Sequence, residues 1–158
     1  MKRYARPELL VDEAGGQLGV SDWRPVTQRL VGEFAALTGD RQWIHTDPSR
    51  AAASPFGGTI AHGFLIASLV PSLLDEVVTV DGCVLVLNKG VERLSFDAAV
   101  PTGSRIRARI GVASARRRPR GYVECVYSSA IEVDGTADAA CTMLVRYLYQ
   151  AATGAAGS

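Results

Sequence analysis

The sequence predicts an α+β domain in which an antiparallel sheet curls around one buried helix. Residues 63–78 are apolar nearly all round (Phe64, Leu65, Ile66, Leu69, Val70, Leu73, Leu74), the mark of a helix hidden in a core. Four extended runs rich in Val, Ile, Leu and Tyr follow it, at roughly 83–97, 104–115, 121–133 and 137–149. A sheet with one apolar face must bury that face, and the 63–78 helix is the partner the chain offers. At 158 residues and 47% hydrophobic, the chain builds one ordinary core, so a single domain over 1–150 is expected.

Each element has its own signal. Glu8 to Ala14 reads as a short helix stopped by Gly15-Gly16. Residues 20–26 read as an edge strand, because Pro25 cannot donate into a central ladder. Thr27 is an N-cap, and Leu30, Val31, Phe34 and Leu37 recur at helical spacing until Gly39 ends the run. Asp47-Pro48 pairs a capping acid with proline at the first helical position and opens a short helix through Ala53. Residues 55–58 are loop, and Pro71 predicts a kink in the buried helix. The strand runs form a meander, divided by Pro101-Thr102-Gly103, by residues 116–121 and by Asp134-Gly135, a two-residue hairpin signal. The small-residue tail, 151–158, is expected to be disordered.

Composition narrows the function. A net charge of +1 lacks the basic signature of a nucleic-acid binder. The longest apolar run falls short of the ~20 residues that span a bilayer, and the basic start is followed by no signal-peptide core. Cys83, Cys125 and Cys141 are odd in number and form no C-x-x-C pair, so they read as reduced core residues. A soluble cytoplasmic protein with neither nucleic-acid nor membrane partner is expected.

The chemistry concentrates in one stretch. The only two histidines, His45 and His62, fall there with Asp40. Five residues apart on one helix, Asp40 and His45 would diverge by about 140°. Gly39 changes that by ending the helix and leaving Asp40 in a loop that can fold back. A histidine exchanges protons near neutral pH, and a carboxylate can orient it or share a water. A helix-cap aspartate beside a satisfied core histidine has the same spacing, so both readings stay open here. His62-Gly63 opens the apolar helix, whose first N–H groups can stabilise a thioester oxygen as it becomes an enolate. Gly63 as a packing glycine and His62 as a cap are the plainer alternative. His45, His62, Asp40 and Asp47 lack metal-site spacing, so no metal is expected. The arginines at 116–120 are either a solvated hairpin tip or a clamp for the phosphates of a coenzyme A handle, with Arg117 and Arg118 as its contacts.

Phe34-x-x-Leu37-Thr38-Gly39-Asp40-x-x-x-x-His45-x-x-x-x-x-Ala51 resembles the signature of the MaoC-like (R)-specific enoyl-CoA hydratases, the hydratase-2 family. Ile60-Ala61-His62-Gly63-Phe64-Leu65 resembles that family's entry to its central helix. Residues 100–106 resemble its strand-turn-strand element, with Ser104 where aspartate is usual. The likeness runs from about Thr27 to Leu148. Gln42-Trp43 stands where the family commonly has asparagine-proline, and this wording is closer to a NodN-like subgroup.

The resemblance implies a hot-dog fold, a homodimer and a lyase of fatty-acid metabolism. It implies reversible hydration of a trans-2-enoyl-CoA to the (R)-3-hydroxyacyl-CoA, with coenzyme A thioester as substrate and no other cofactor. Asp40 and His45 would be catalytic, with Gly63, His62 and Gln42 as oxyanion or substrate-binding residues. A hot-dog thioesterase and a non-catalytic acyl-thioester-binding module are the alternatives.

Overall fold

A computed structural model describes residues 1–152 of the chain. Its elements are β1 (Lys2–Tyr4), a 3₁₀ helix (Pro7–Glu13), β2 (Gln17–Val20), β3 (Arg24–Pro25), α1 (Gln28–Thr38), α2 (Trp43–Thr46), α3 (Pro48–Ala52) and α4 (Gly63–Val77). Then come β4 (Val78–Val80), β5 (Cys83–Phe96), β6 (Arg105–Arg118), β7 (Tyr122–Val133) and β8 (Ala139–Ala151). A six-stranded antiparallel sheet runs β2-β6-β7-β8-β5, with β3 also paired to β6. β1 and β4 form a separate parallel pair.

The core follows from two periodicities. Along β7 every second residue, from Val123 through Cys125, Tyr127, Ser129 and Ile131 to Val133, is buried. That is one face of a pleated strand turned inward. α4 meets it with Leu65, Ile66, Val70, Leu73, Leu74 and Val77. All but Ser129 join one cluster with Ile106, Ile110 and Val145. Burying a side chain of this size contributes roughly 1.5–3 kcal/mol, so the α4–sheet contact is a large source of stability. The Tyr127 and Tyr149 hydroxyls, 2.7 Å apart inside this core, satisfy each other.

Several expectations change. β6, β7 and β8 do form a meander, but β5 pairs with β8 at the far edge instead of with β6. Residues 97–104 therefore cross the end of the sheet, where Ala61 N–H donates to Val100 O and Ile60 bridges Pro101. Apolar alternation reports which face of a strand is buried, not which strand lies beside it. Asp134-Gly135 sits in a five-residue connection, 134–138, in which the Asp134 side chain accepts from Arg105. The N-terminal helix is a 3₁₀ turn begun by Pro7, and the short β1, β4 and α2 carry too few residues to show a period. α4 is not buried all round, since Phe64 is 68% exposed. Cys125 and Cys141 are core, whereas Cys83 is only half-buried. Ala151, assigned by its sequence to the tail, ends β8 and donates its N–H to Gly121 O. Residues 153–158 of that expected tail lie outside the described residues.

Candidate active site

The site begins where α1 stops. Thr27 caps α1 by accepting from Leu30 N–H (3.1 Å), and Gly39 closes it in the left-handed region at φ 81°. Asp40 is thereby released into an exposed loop, where its Oδ1 accepts from Gln42 N–H at 3.4 Å. The single turn of α2 then drives His45 inward to 7% exposure.

His45 is held on two sides. Its Nδ1 lies 2.7 Å from Ile60 O. A carbonyl only accepts, so Nδ1 carries the proton and Nε2 keeps its lone pair. Its own carbonyl accepts from Gln28 Nε2 at 2.7 Å, and Gln28 Oε1 accepts from the Thr59 hydroxyl at 2.5 Å. Gln28 and Thr59 are positioning groups that no local motif announces. Their partners lie 17 and 31 residues away.

A carboxylate oxygen of Asp40 and ring nitrogens of His45 and His62 all lie within 4.8 Å of one another. One water hydrogen-bonded to two such groups spans up to about 5.6 Å, so a single water fits between Asp40 and His45. The two imidazoles are stacked, centroids 3.7 Å apart and planes 26° from parallel.

His62 is 3% exposed, with Phe34 packed on it at 5.1 Å. Its Nε2–H donates to the backbone O of Asp40 (2.9 Å), and it makes no side-chain cap to α4. Gly63 begins α4, so its N–H has no partner within the helix. A Cβ there would sit 2.9 Å from the Phe96 ring.

Two cavities share His45 and Gly63 as a common wall. The larger, about 340 Å³, is lined by Ile66, Phe96, Val100 and Cys141, among others. The smaller, about 240 Å³, holds Asp40, Phe34, Thr38 and Phe64. A groove of about 440 Å³ lies elsewhere on the sheet, beside Arg93, Arg109 and Ser128, and contains neither histidine. Volume alone does not single out the cavities that meet the histidines. Burial, with a smaller push from Asp97, raises the Cys141 thiol to about 11, which keeps it protonated and poorly nucleophilic.

Other residues named from the sequence fall away from this wall. Gln42 is exposed and lines neither cavity; its backbone carbonyl accepts from His45 N–H. Trp43 also lines neither, and lies under the Arg50 guanidinium. Arg118 pairs with Glu124, and its hairpin stands beside Gln150 at the far end of β8 from Cys141. Those nine residues of strand amount to about 30 Å. Within one chain, therefore, Arg117 and Arg118 do not reach the site.

A sheet wrapped on a helix, with an acid and a histidine meeting at the helix mouth, belongs to the hot-dog class. The (R)-hydratase of Aeromonas caviae superposes with a TM-score of 0.66 at 27% identity, covering 84% of this chain and 96% of that one. A monoamine oxidase regulatory protein from Archaeoglobus fulgius shares the fold with a TM-score of 0.72 at 22% identity, covering 97% and 98%. Within that class the chain belongs to the MaoC-like dehydratase family: residues 11–133 match the MaoC like domain. It is 45% identical over 150 residues to 3-hydroxyacyl-thioester dehydratase Z of Mycobacterium tuberculosis, covering 94% of this chain and 99% of that protein. It is 37% identical over 127 residues to nodulation protein N of Rhizobium meliloti, covering 76% of each. No helix among the described residues is long and apolar enough to cross a membrane.

Proposed function

We propose that this chain reversibly hydrates a trans-2-enoyl thioester, with coenzyme A as carrier, to the (R)-3-hydroxyacyl thioester. The observation that carries the reading is the approach of the Asp40 carboxylate to the His45 ring within 4.8 Å, with Nδ1 of His45 committed to Ile60 O. That commitment leaves Nε2 as the only ring nitrogen able to take a proton.

In the forward direction Asp40 and His45 hold one water. Its O–H bond breaks, the proton goes to His45 Nε2, and its oxygen bonds to C3. The C2=C3 π pair moves toward the thioester oxygen, where the N–H of Gly63 at the start of α4 receives the growing negative charge. The proton returns to C2 through the Asp40–His45 pair, which ends as it began. The thioester itself acidifies C2, so no redox cofactor or metal enters these steps. The 340 Å³ cavity, apolar at Ile66, Phe96 and Val100, suits the acyl chain.

A homodimer fits the long apolar edge of β5, and the three free thiols at Cys83, Cys125 and Cys141 fit a reducing cytoplasm. The names of the M. tuberculosis and A. caviae relatives support the reaction class. The test is loss of enoyl absorbance from crotonyl-CoA, with chiral analysis of the product. Asp40→Asn and His45→Gln are each expected to lower kcat by roughly 10²–10⁴-fold with an unchanged circular dichroism spectrum. Near-wild-type turnover by either variant would sink the assignment. Free thiol release without loss of the double bond would point to a thioesterase.

A further inference from the structure

We infer that His62 is a positioning residue that couples the loop carrying Asp40 to the ring of His45; the inference rests on the hydratase reading above. His62 directly precedes Gly63 yet gives α4 no side-chain cap. Its ring turns back and does two other things. Nε2–H donates to the carbonyl of Asp40 at 2.9 Å, tethering the loop that Gly39 set free. Its face lies against the face of His45 at 3.7 Å, while Phe34 packs on it at 5.1 Å. His45 is thus fixed in its plane by Ile60 O and across its plane by His62. Those two restraints set where Nε2 points.

The arrangement leaves the Nδ1 of His62 buried and without a partner. A residue kept for packing alone would carry no such penalty. Phenylalanine would fill the slab without an orphaned nitrogen, and glutamine would offer a donor to Asp40 O without the slab. Of the three, only imidazole supplies both. The ring also presents a π face to His45 at the moment His45 gains a proton, a cation–π contact that stabilises the charged form. The acid and the base are therefore registered against each other through the side chain of His62.

The test compares the full-length wild type with His62→Phe and His62→Gln, each read by steady-state hydration of crotonyl-CoA and by ¹⁵N NMR of the histidine side chains. His62→Phe keeps the slab and loses the tether. It is expected to lower kcat about 10²-fold, the effect of a small misplacement, with little change in KM and the Tm retained. His62→Gln keeps the tether and loses the slab, and is expected to shift the pH profile of kcat through His45. In the wild type the ¹⁵N spectrum should show His62 as the Nε2–H tautomer, and either substitution should move the His45 resonances. An Nδ1–H tautomer at His62, or wild-type kcat and pH profile in both variants, would overturn the inference. If a variant does not fold, the wild-type tautomer decides. A wild type that leaves crotonyl-CoA unchanged while the ¹⁵N spectra behave as expected would overturn the reaction and support the coupling.

Discussion

Single residues set the geometry of the candidate site, and Gly63 is tightly constrained among them. In the proposed reaction its N–H at the head of α4 receives the thioester oxygen, and a methyl group on its Cα would land 2.9 Å from the Phe96 ring. Phe96 is 45% exposed and stacks edge-on with Phe64 at 5.5 Å, so the ring can give way without opening the core. Gly63→Ala is therefore expected to move Tm by less than about 4 °C, since a loss under about 1 kcal/mol shifts a domain of this size no further. The methyl and the displaced ring would instead crowd the cavity wall, so kcat/KM should fall at least tenfold, on the order of the penalty for a misplaced substrate. Adding Phe96→Ala should return part of that loss. A double-mutant cycle on kcat/KM checks this, and strictly additive effects would show that Phe96 is not what the methyl meets.

Among the elements, the helices were legible and the sheet order was not. Thr27, Gly39, Asp47 and Pro48 are capping signals that act within four residues, so α1 and α3 stand where they were read. The release of Asp40 from α1 was legible for the same reason, because Gly39 is a local instruction to leave the helix, whereas its approach to His45 was one of two readings the spacing left open. Gln28 and Thr59, which hold His45 from behind, were not legible, since their bonds close only after distant segments meet. The crossing of residues 97–104 was equally hidden, although it supplies Val100 and the neighbours of Phe96 to the cavity. β5 shows what the local pattern does carry: Val84, Leu85, Val86, Leu87 and Val91 are apolar in sequence and exposed on both faces of an edge strand. A long bare apolar edge invites pairing with another chain. Antiparallel pairing with a second copy about a two-fold axis would close both edges at once. Sedimentation should find twice the chain mass for the wild type, and Val86→Lys with Leu87→Lys should leave a folded monomer. A wild-type monomer at micromolar concentration would remove the dimer.

For the molecule as a whole, charge is spent on the outside of the sheet. Glu132 sits between Arg107 (2.7 Å) and Arg109, and Glu124 between Arg116 (2.6 Å) and Arg118 (3.0 Å). Burial pushes both carboxyls up, but hydrogen bonds and charge from the paired arginines outweigh it and hold both below the usual glutamate value. A carboxyl depressed in the folded state stabilises fully above its unfolded pKa, about 4.3, and loses that contribution as pH falls through the folded value. Arg3–Asp81, by contrast, is open to solvent, and such pairs contribute little. The acid limb of stability should therefore be carried by the two glutamates on the sheet, and Tm should decline as pH drops below about 4.3. Glu124→Gln with Glu132→Gln should lower Tm at pH 7 and flatten the decline below about pH 4.3, because the variant lacks the two arginine-flanked carboxylates whose protonation steepens it. Thermal melts of both proteins between pH 7 and pH 3 test this. An unchanged acid slope in the double variant would move the titration to other groups. Because these pairs lie on the opposite face of the sheet from α4, the same variant should keep its kcat for crotonyl-CoA at pH 7, which separates the electrostatics of stability from those of the site.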